Sequence, residues 1–338
     1  MANSNSRTAA LNTMLTRAWQ GRGLVACLLL PLALIFHLII TCRRIFYRVG
    51  IFSVWAPPVP LIVIGNIFVG GTGKTPLVIW LVSALRARGF TPGVISRGYG
   101  GSADAVIEVR ADMPATQTGD EPLLIAQKSE VPVFVGRDRV AAARALLAAH
   151  PEVDIIISDD GLQHYALGRT VEIQLSDTRG HGNGWLLPAG PLREPVSRKS
   201  DFYVINGATQ TGSDDYAMRL TGQHAEQLVD RGQHADLSSL QGKRVAAVAG
   251  MGHPERFFGM LRAQGVSLEF TRALPDHFDF SSNPFAEITA DIILITEKDA
   301  VKCSRIAGIA QDTRLWAVPV EATIAGPLVQ HILEKLRG

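Results

Sequence analysis

The stretch from Leu61 to Pro76 constrains this chain most. Four apolar residues, Leu61-Ile62-Val63-Ile64, run directly into Gly65-Asn66-Ile67-Phe68-Val69-Gly70-Gly71-Thr72-Gly73-Lys74-Thr75-Pro76. The apolar run reads as a short buried strand, and the spacing of Leu77, Trp80, Leu81, Ala84 and Leu85 reads as a helix. A glycine-rich turn between them lets backbone N–H groups converge on phosphate at the helix N-terminus. Lys74 offers a point charge for the β- and γ-phosphates, and the Thr75 hydroxyl suits Mg²⁺. Gly70, Gly71, Thr72, Gly73, Lys74 and Thr75 therefore form a candidate nucleoside triphosphate site. The strict spacing G-x-x-x-x-G-K-[ST] asks for a glycine where this chain has Phe68. The competing reading is a glycine-rich turn with a chance Lys-Thr; the strand before it and the helix after it argue against that. Pro76 falls in the first turn of the helix, where its missing N–H costs little.

Apolar strands then alternate with helical patterns. Strands are expected at 59–64, 91–96, 131–135, 153–158, 171–176 and 202–205, with helices at 76–88, 121–128 and 137–149. This alternation predicts a mainly parallel sheet covered on both faces. Turn-rich residues near 206–240 suggest a linker. A second α/β set follows, with strands at 244–249, 267–270, 292–296 and 315–319 and helices at 254–264 and 326–337. The expected division is an N-terminal anchor (1–48), a nucleotide-binding core (49–206), a linker (207–240) and a smaller α/β domain (241–338). A chain of 338 residues has room for two cores.

Net charge is +2, so no global charge argues for nucleic acid as a partner. Charged residues are only 19% of the chain, and mean hydropathy is +0.16. The apolar excess is concentrated at Leu24–Ile40, which has no formal charge, with Arg17 and Arg22 before it and Arg43, Arg44 and Arg48 after it. As a helix it spans roughly 25 Å, short of a bilayer core of about 30 Å, and Pro31 interrupts it. Basic flanks suit anionic lipid headgroups. The segment is expected to anchor the protein at a membrane without crossing it; a buried helix and a cleaved signal peptide are the alternatives. ATP places the remaining chain on the cytoplasmic side. Cys27, Cys42 and Cys303 show neither metal spacing nor a disulfide framework.

Five polar constellations could carry chemistry. Asp120 and Glu121 follow Gly119 at the start of an expected helix, as a cap, a general base or a metal ligand. Asp159 and Asp160, with His164 close behind, stand at the carboxyl end of the strand Val153–Ser158, where open parallel sheets bind ligands. Two adjacent carboxylates there call for a cation. Asn183 to Glu194 is rigid, rich in Gly and Pro, and ends in Arg193-Glu194; arginine suits phosphate. Asp276-His277 could carry or orient a proton. Thr296-Glu297-Lys298-Asp299 lies at another strand end and could face a cleft between the domains.

Read together, GNIFVGGTGKTP (65–76), SRGYGG (96–101), GDEP (119–122), DDGLQH (159–164), NGWLLPAGPLRE (183–194), AGMGHPERFF (249–258), DHF (276–278) and TEKDAVK (296–302) resemble the tetraacyldisaccharide 4′-kinase family over essentially the whole chain. The displaced first glycine belongs to that family's pattern. The resemblance implies a P-loop core with a smaller α/β domain and a helix on the cytoplasmic face of the inner membrane. It also implies transfer of the γ-phosphate of ATP, with Mg²⁺, to the 4′-hydroxyl of an acylated glucosamine disaccharide 1-phosphate. By motif it makes Asp120 the catalytic carboxylate and His277 its partner across the cleft. Thr75, Glu121, Asp159 and Asp160 lie at Mg²⁺, and His164, Asn183, Arg193 and Glu194 at the substrate side. A membrane-anchored regulatory NTPase is the reading from another class; dependence on the acylated acceptor separates the two.

Overall fold

Two mixed sheets form the molecule, described by a computed structural model over residues 18–99, 101, 105–208, 212 and 215–337. Arg17 and the polar residues before it, Gly100 of the Ser96–Gly101 motif, and most of 209–214 lie outside the described residues. In chain order the helices are α1 (Leu24–Leu28), α2 (Leu30–Arg48), α3 (Lys74–Arg86), α4 (Ala115–Thr118), α5 (Asp120–Ser129), α6 (Arg139–Ala149), α7 (Pro254–Ala263), α8 (Glu297–Cys303) and α9 (Leu328–Arg337). The strands are β1 (Leu61–Gly65), β2 (Pro92–Ser96), β3 (Ile107–Glu108), β4 (Val133–Val135), β5 (Ile155–Asp159), β6 (Val171–Asp177), β7 (Phe202–Asn206), β8 (Asp215–Thr221), β9 (His224–Gln227), β10 (His234–Asp236), β11 (Val245–Ala249), β12 (Leu268–Ala273), β13 (Ile292–Thr296), β14 (Leu315–Val318) and β15 (Glu321–Ile324).

The larger sheet has the order β15-β8-β7-β6-β1-β5-β2-β4-β3. It is parallel from β8 to β4, and antiparallel only at its two edges. β1 lies near the middle, and every residue of β1, β2 and β5 is buried. Such continuous apolar strands need cover on both faces. Leu77, Leu81 and Leu85 of α3 and Leu123 of α5 pack on one face. Ala142, Ala143 and Leu146 of α6 pack on the other. Asp138 caps α6 by accepting from the N–H groups of Val140 and Ala141.

The smaller sheet has the order β10-β9-β14-β13-β11-β12, with α7 over one face and α8, Phe280 and Phe285 over the other. The mixed α/β fold agrees with the expectation from alternation. The linker does not: 207–240 carries three strands, and they divide between the two sheets. β8 continues the larger sheet beside β7, whereas β9 and β10 form the edge of the smaller one. The end of the chain likewise returns to the larger sheet. β15 pairs with β8, and Leu328 and Ile332 of α9 join the first core. Two crossings between sheets result, and short amphipathic strands gave no signal of which sheet they would complete.

The N-terminal apolar segment is two helices. Pro31 occupies the first turn of α2, so the break falls at the junction and leaves α2 intact. α2 is long and apolar enough to cross a membrane by length and composition, and only 6% of its apolar window is buried. Leu34, Ile35, Leu38 and Ile39 are exposed, while Phe36 and Ile40 pack against Ile67, Leu186 and Leu192. The buried-helix reading is thus set aside.

Candidate active site

The phosphate loop connects β1 to α3, and two of its glycines take left-handed backbone angles, Gly70 at φ 103° and Gly73 at φ 100°. A Cβ on Gly73 would stand 2.6 Å from Asn206 Nδ2, the same amide that donates to Thr72 O at 2.9 Å. The glycine absent at 68 is replaced by a different use of that position. Phe68 bridges to Leu192, and its ring lies 4.4 Å from the Arg179 guanidinium. Arg179 donates to Gly71 O at 3.0 Å and pairs with Asp177 at 2.6 Å. Arg256 of α7 reaches the same Asp177 at 2.6 Å. A Cβ on Gly252 would come 3.2 Å from Gly71 N, so the loop after β11 sits directly against the phosphate loop. Thr72 Oγ1 is buried without a hydrogen-bond partner among the described residues, which suits a polar ligand inside the loop.

Lys74 opens α3 with its ammonium 3.3 Å from Asn66 Oδ1 and 3.5 Å from Asp160 Oδ1. Thr75 follows on the first turn, buried. Asp160 also receives two bonds from Arg193 Nη1, at 3.1 and 3.2 Å. Burial acts to raise the Asp160 pKa, but Lys74 and Arg193 overcome it and lower it. Asp159, one residue earlier, behaves oppositely. Its burial, with Glu121 and Asp160 nearby, pushes its pKa up to about 7, although Lys74 and a hydrogen bond from Ser96 Oγ act to lower it. Its Oδ1 is buried and has no hydrogen-bond partner among the described residues. A carboxylate orphaned beside two others fits a hard divalent cation.

Asp120 enters from α5. Gly119, at φ 87°, precedes it, and a Cβ there would meet Tyr99 O at 2.6 Å. The close approach of the 96–101 loop therefore requires glycine and fixes where α5 begins. Asp120 is buried, and His277 Nδ1 contacts its two oxygens at 3.2 and 3.1 Å. Lys302 Nζ lies 3.2 Å away and Lys298 Nζ 4.0 Å away. Burial alone would raise the Asp120 pKa; the His277 hydrogen bond and the two lysines drive it well below the usual carboxylate range. His277 adopts φ 58°, uncommon for a residue with a Cβ, and its ring lies 4.9 Å from that of Tyr99.

α8 brings the lysines to this point. Ala300 and Cys303 face the second core, and Val301 joins the first. Lys298 and Lys302, one helical turn apart, share the remaining face. Lys298 also holds Glu121 and Asp276, each at 3.0 Å. Burial opposes its charge, but Glu121, Asp120 and Asp276 outweigh that and raise its pKa. The TEKDAVK motif marked this helix, but neither lysine was assigned a role from the sequence. Arg139 was missed as well. It is a buried arginine in an alanine-rich helix, its pKa lowered to about 10 by burial despite the Asp159 and Asp160 charges.

The expected substrate-side residues divide. Arg193 faces Asp160. Glu194 is enclosed: it accepts from Gln163 Nε2 at 3.0 Å, Tyr165 Oη at 2.6 Å and Arg198 Nε at 2.9 Å. Asn183 is buried too, donating to Gly21 O at 3.1 Å and Ala189 O at 2.9 Å, and so ties the N-terminal segment to the 183–194 loop. His164 has its pKa lowered to about 4 by burial and by Arg139, which makes the ring neutral. Its Nε2 has no hydrogen-bond partner among the described residues and stands 4.0 Å from Asp138.

Comparison with known proteins identifies the family. The tetraacyldisaccharide-1-P 4′-kinase family matches residues 25–337. A tetraacyldisaccharide 4′-kinase of Janthinobacterium sp. (strain Marseille) is 57% identical over 337 residues, covering 97% of each chain. One from Herminiimonas arsenicoxydans is 53% identical, covering 98% of this chain and 97% of its own. A crystal structure of LpxK from Aquifex aeolicus in complex with ATP superposes with a TM-score of 0.74 at 26% identity, over 93% of this chain and 98% of that one. The chain belongs to the tetraacyldisaccharide 4′-kinase family.

Proposed function

We propose that this protein transfers the γ-phosphate of ATP to the 4′-hydroxyl of an acylated glucosamine disaccharide 1-phosphate at the cytoplasmic face of the inner membrane. The observation that carries the reading is the contact of Asp120 with His277, from opposite sheets, beside the phosphate loop. The N–H groups of Gly70–Thr75 and the Lys74 ammonium hold the β- and γ-phosphates. Thr75 and Asp159, with Asp160 and Glu121 close by, are the residues that would hold Mg²⁺. When bound, that ion neutralises charge on the phosphates. Arg193 and Arg179 stand at the edge of the loop for further phosphate oxygens.

Asp120 is ionised at neutral pH and accepts the proton of the 4′-hydroxyl. The 4′-oxygen forms its bond to the γ-phosphorus as the bond from that phosphorus to the bridging oxygen breaks, and ADP leaves with the electron pair. A carboxylate with a lowered pKa is a weak base, which suits a loose transition state in which the proton departs late. His277 and Lys302 hold the carboxylate in orientation. Glu194 and Asn183 act as positioning residues, the first through Tyr165 and Arg198, the second by docking the N-terminal segment.

The exposed apolar face of α1 and α2, next to Arg43, Arg44 and Arg48, would lie in the headgroup boundary of an anionic membrane. An acceptor carrying four acyl chains resides there, so the anchor brings the cleft to its substrate. The test is transfer of γ-labelled phosphate from Mg²⁺-ATP to the acylated disaccharide 1-phosphate in mixed micelles. Labelled 4′-phosphate product is expected. ATP hydrolysis at the same rate with and without the acceptor, and no labelled lipid, would overturn the reading.

A further inference from the structure

The outer edge of the smaller sheet carries a polar cluster that the phosphotransfer site does not use. β9 and β10 pair antiparallel, with His234 opposite Glu226, Ala235 opposite Ala225 and Asp236 opposite His224. Directly opposed residues share a face, as do alternate residues along a strand. Ala225 and Ala235 turn toward the core under α7. His224, Glu226, His234 and Asp236 consequently occupy the other face. One donor atom from each of His224, Glu226 and His234 lies within 4.8 Å of the other two. We infer that His224, Glu226 and His234 form a binding site for a first-row transition-metal dication, with Zn²⁺ the best match.

The distances suit such an ion. With bonds of about 2.0–2.1 Å, tetrahedral zinc ligands stand about 3.4 Å from one another. His224 Nε2 and Glu226 Oε1 are already 3.6 Å apart. The third donor, from His234, lies within 4.8 Å of both, so side-chain rotation can bring it to the ion. The two imidazole rings meet edge to face, with centroids 5.6 Å apart and planes at 72°. Glu226 Oε2 accepts from Arg231 Nη1 at 3.1 Å, which orients the carboxylate and leaves Oε1 toward His224. An outer partner of this kind fixes a ligand's direction at metal sites. The alternative is an edge strand made polar to prevent pairing with other chains. Charge alone would serve that purpose; it does not call for two imidazoles and a carboxylate converging from two strands.

The donor set also separates this site from the nucleotide site. Mg²⁺ takes oxygen donors in octahedral geometry, whereas two imidazoles with one carboxylate suit Zn²⁺, Ni²⁺ or Cu²⁺. Ligands from both strands make the ion a staple across the hairpin, holding β10 and the 3-10 turn Leu237–Leu240 to the sheet. The site lies apart from the cleft, so binding and catalysis are expected to be independent.

The experiment uses untagged, chelator-stripped full-length protein, titrated with ZnCl₂ in excess Mg²⁺ against a chromogenic chelator, with Co²⁺ absorption reporting coordination. Wild type and the His277→Ala variant should bind an equivalent of Zn²⁺ and gain thermal stability from it. The His224→Ala/His234→Ala protein should bind it about 10-fold or more weakly and keep wild-type phosphotransfer. The Glu226→Gln variant, which preserves side-chain shape, provides the same comparison should the double variant fold poorly. No saturable Zn²⁺ binding to wild type, or undiminished binding by both variants, overturns the site.

Discussion

Asp120 and Asp159 are buried carboxylates at one cleft whose pKa values are pushed in opposite directions. Asp120 is met by His277, Lys298 and Lys302, all from the smaller sheet's side, and stays ionised. Asp159 has Lys74, which Asp160 shares, and the buried Arg139 nearby, yet burial together with Glu121 and Asp160 still raises its pKa to about 7. The difference bears on the mechanism proposed above. Asp120 has cations built into the protein around it. In the proposed mechanism it takes the proton, and a divalent ion carried in with the nucleotide offsets the charge on Asp159.

The comparison can be broken by substitution. The largest effect is expected for Asp120→Asn: turnover about 10²–10⁴-fold lower, with ATP affinity, measured by calorimetry, nearly unchanged. An equal loss of ATP affinity would make Asp120 a nucleotide or metal ligand and erase the distinction. His277→Ala should lower turnover less, by about 10–100-fold, and a wild-type rate would remove it from the mechanism. Asp159→Asn should instead raise the Mg²⁺ concentration needed for half-maximal turnover, by roughly 10-fold or more.

Proton linkage sharpens the same contrast. The folded-state pKa of Asp159 is raised, so its contribution favours folding at low pH and fades as pH climbs from about 4 toward about 7. Asp120, with its pKa lowered, contributes stability above about 4 and loses it on further acidification. His164, with its pKa lowered to about 4, gains stability over part of the same range, so the test is the difference between proteins. Chelator-treated wild type should lose more melting temperature between pH 5 and pH 7 than the Asp159→Asn variant, and Mg²⁺-ATP should shrink that excess. An equal loss in the two proteins would contradict the account of Asp159. The smallest effect is expected for Lys302→Met, which raises the Asp120 pKa and moves the acidic limb of the rate profile up by about one pH unit.

What the sequence disclosed follows the range of the interactions. β1, the phosphate loop and α3 were legible because a strand, a glycine turn and an amphipathic helix are local patterns. Asp159 and Asp160 were legible for the same reason, as a polar break at the end of an apolar strand. β8 and β15 were not: Asp215–Thr221 and Glu321–Ile324 are short strands whose partners lie in the other half of the fold. Lys298 and Lys302 resemble solvent-facing helix residues until α8 is packed between the two cores. Glu194, read as a surface or substrate residue beside Arg193, proved to be enclosed by Arg198 four residues on and by Gln163 and Tyr165, two partners that sequence proximity did not reveal.

The central claim is that Asp120 and His277 act as a unit formed by the meeting of the two sheets. A double-mutant cycle on single-turnover phosphotransfer tests it directly, using Asp120→Asn, His277→Ala and the combination. Residues of one unit are strongly non-additive, so the combined variant should be no slower than Asp120→Asn alone. Loss equal to the product of the two separate losses would show that they act independently and would contradict the account.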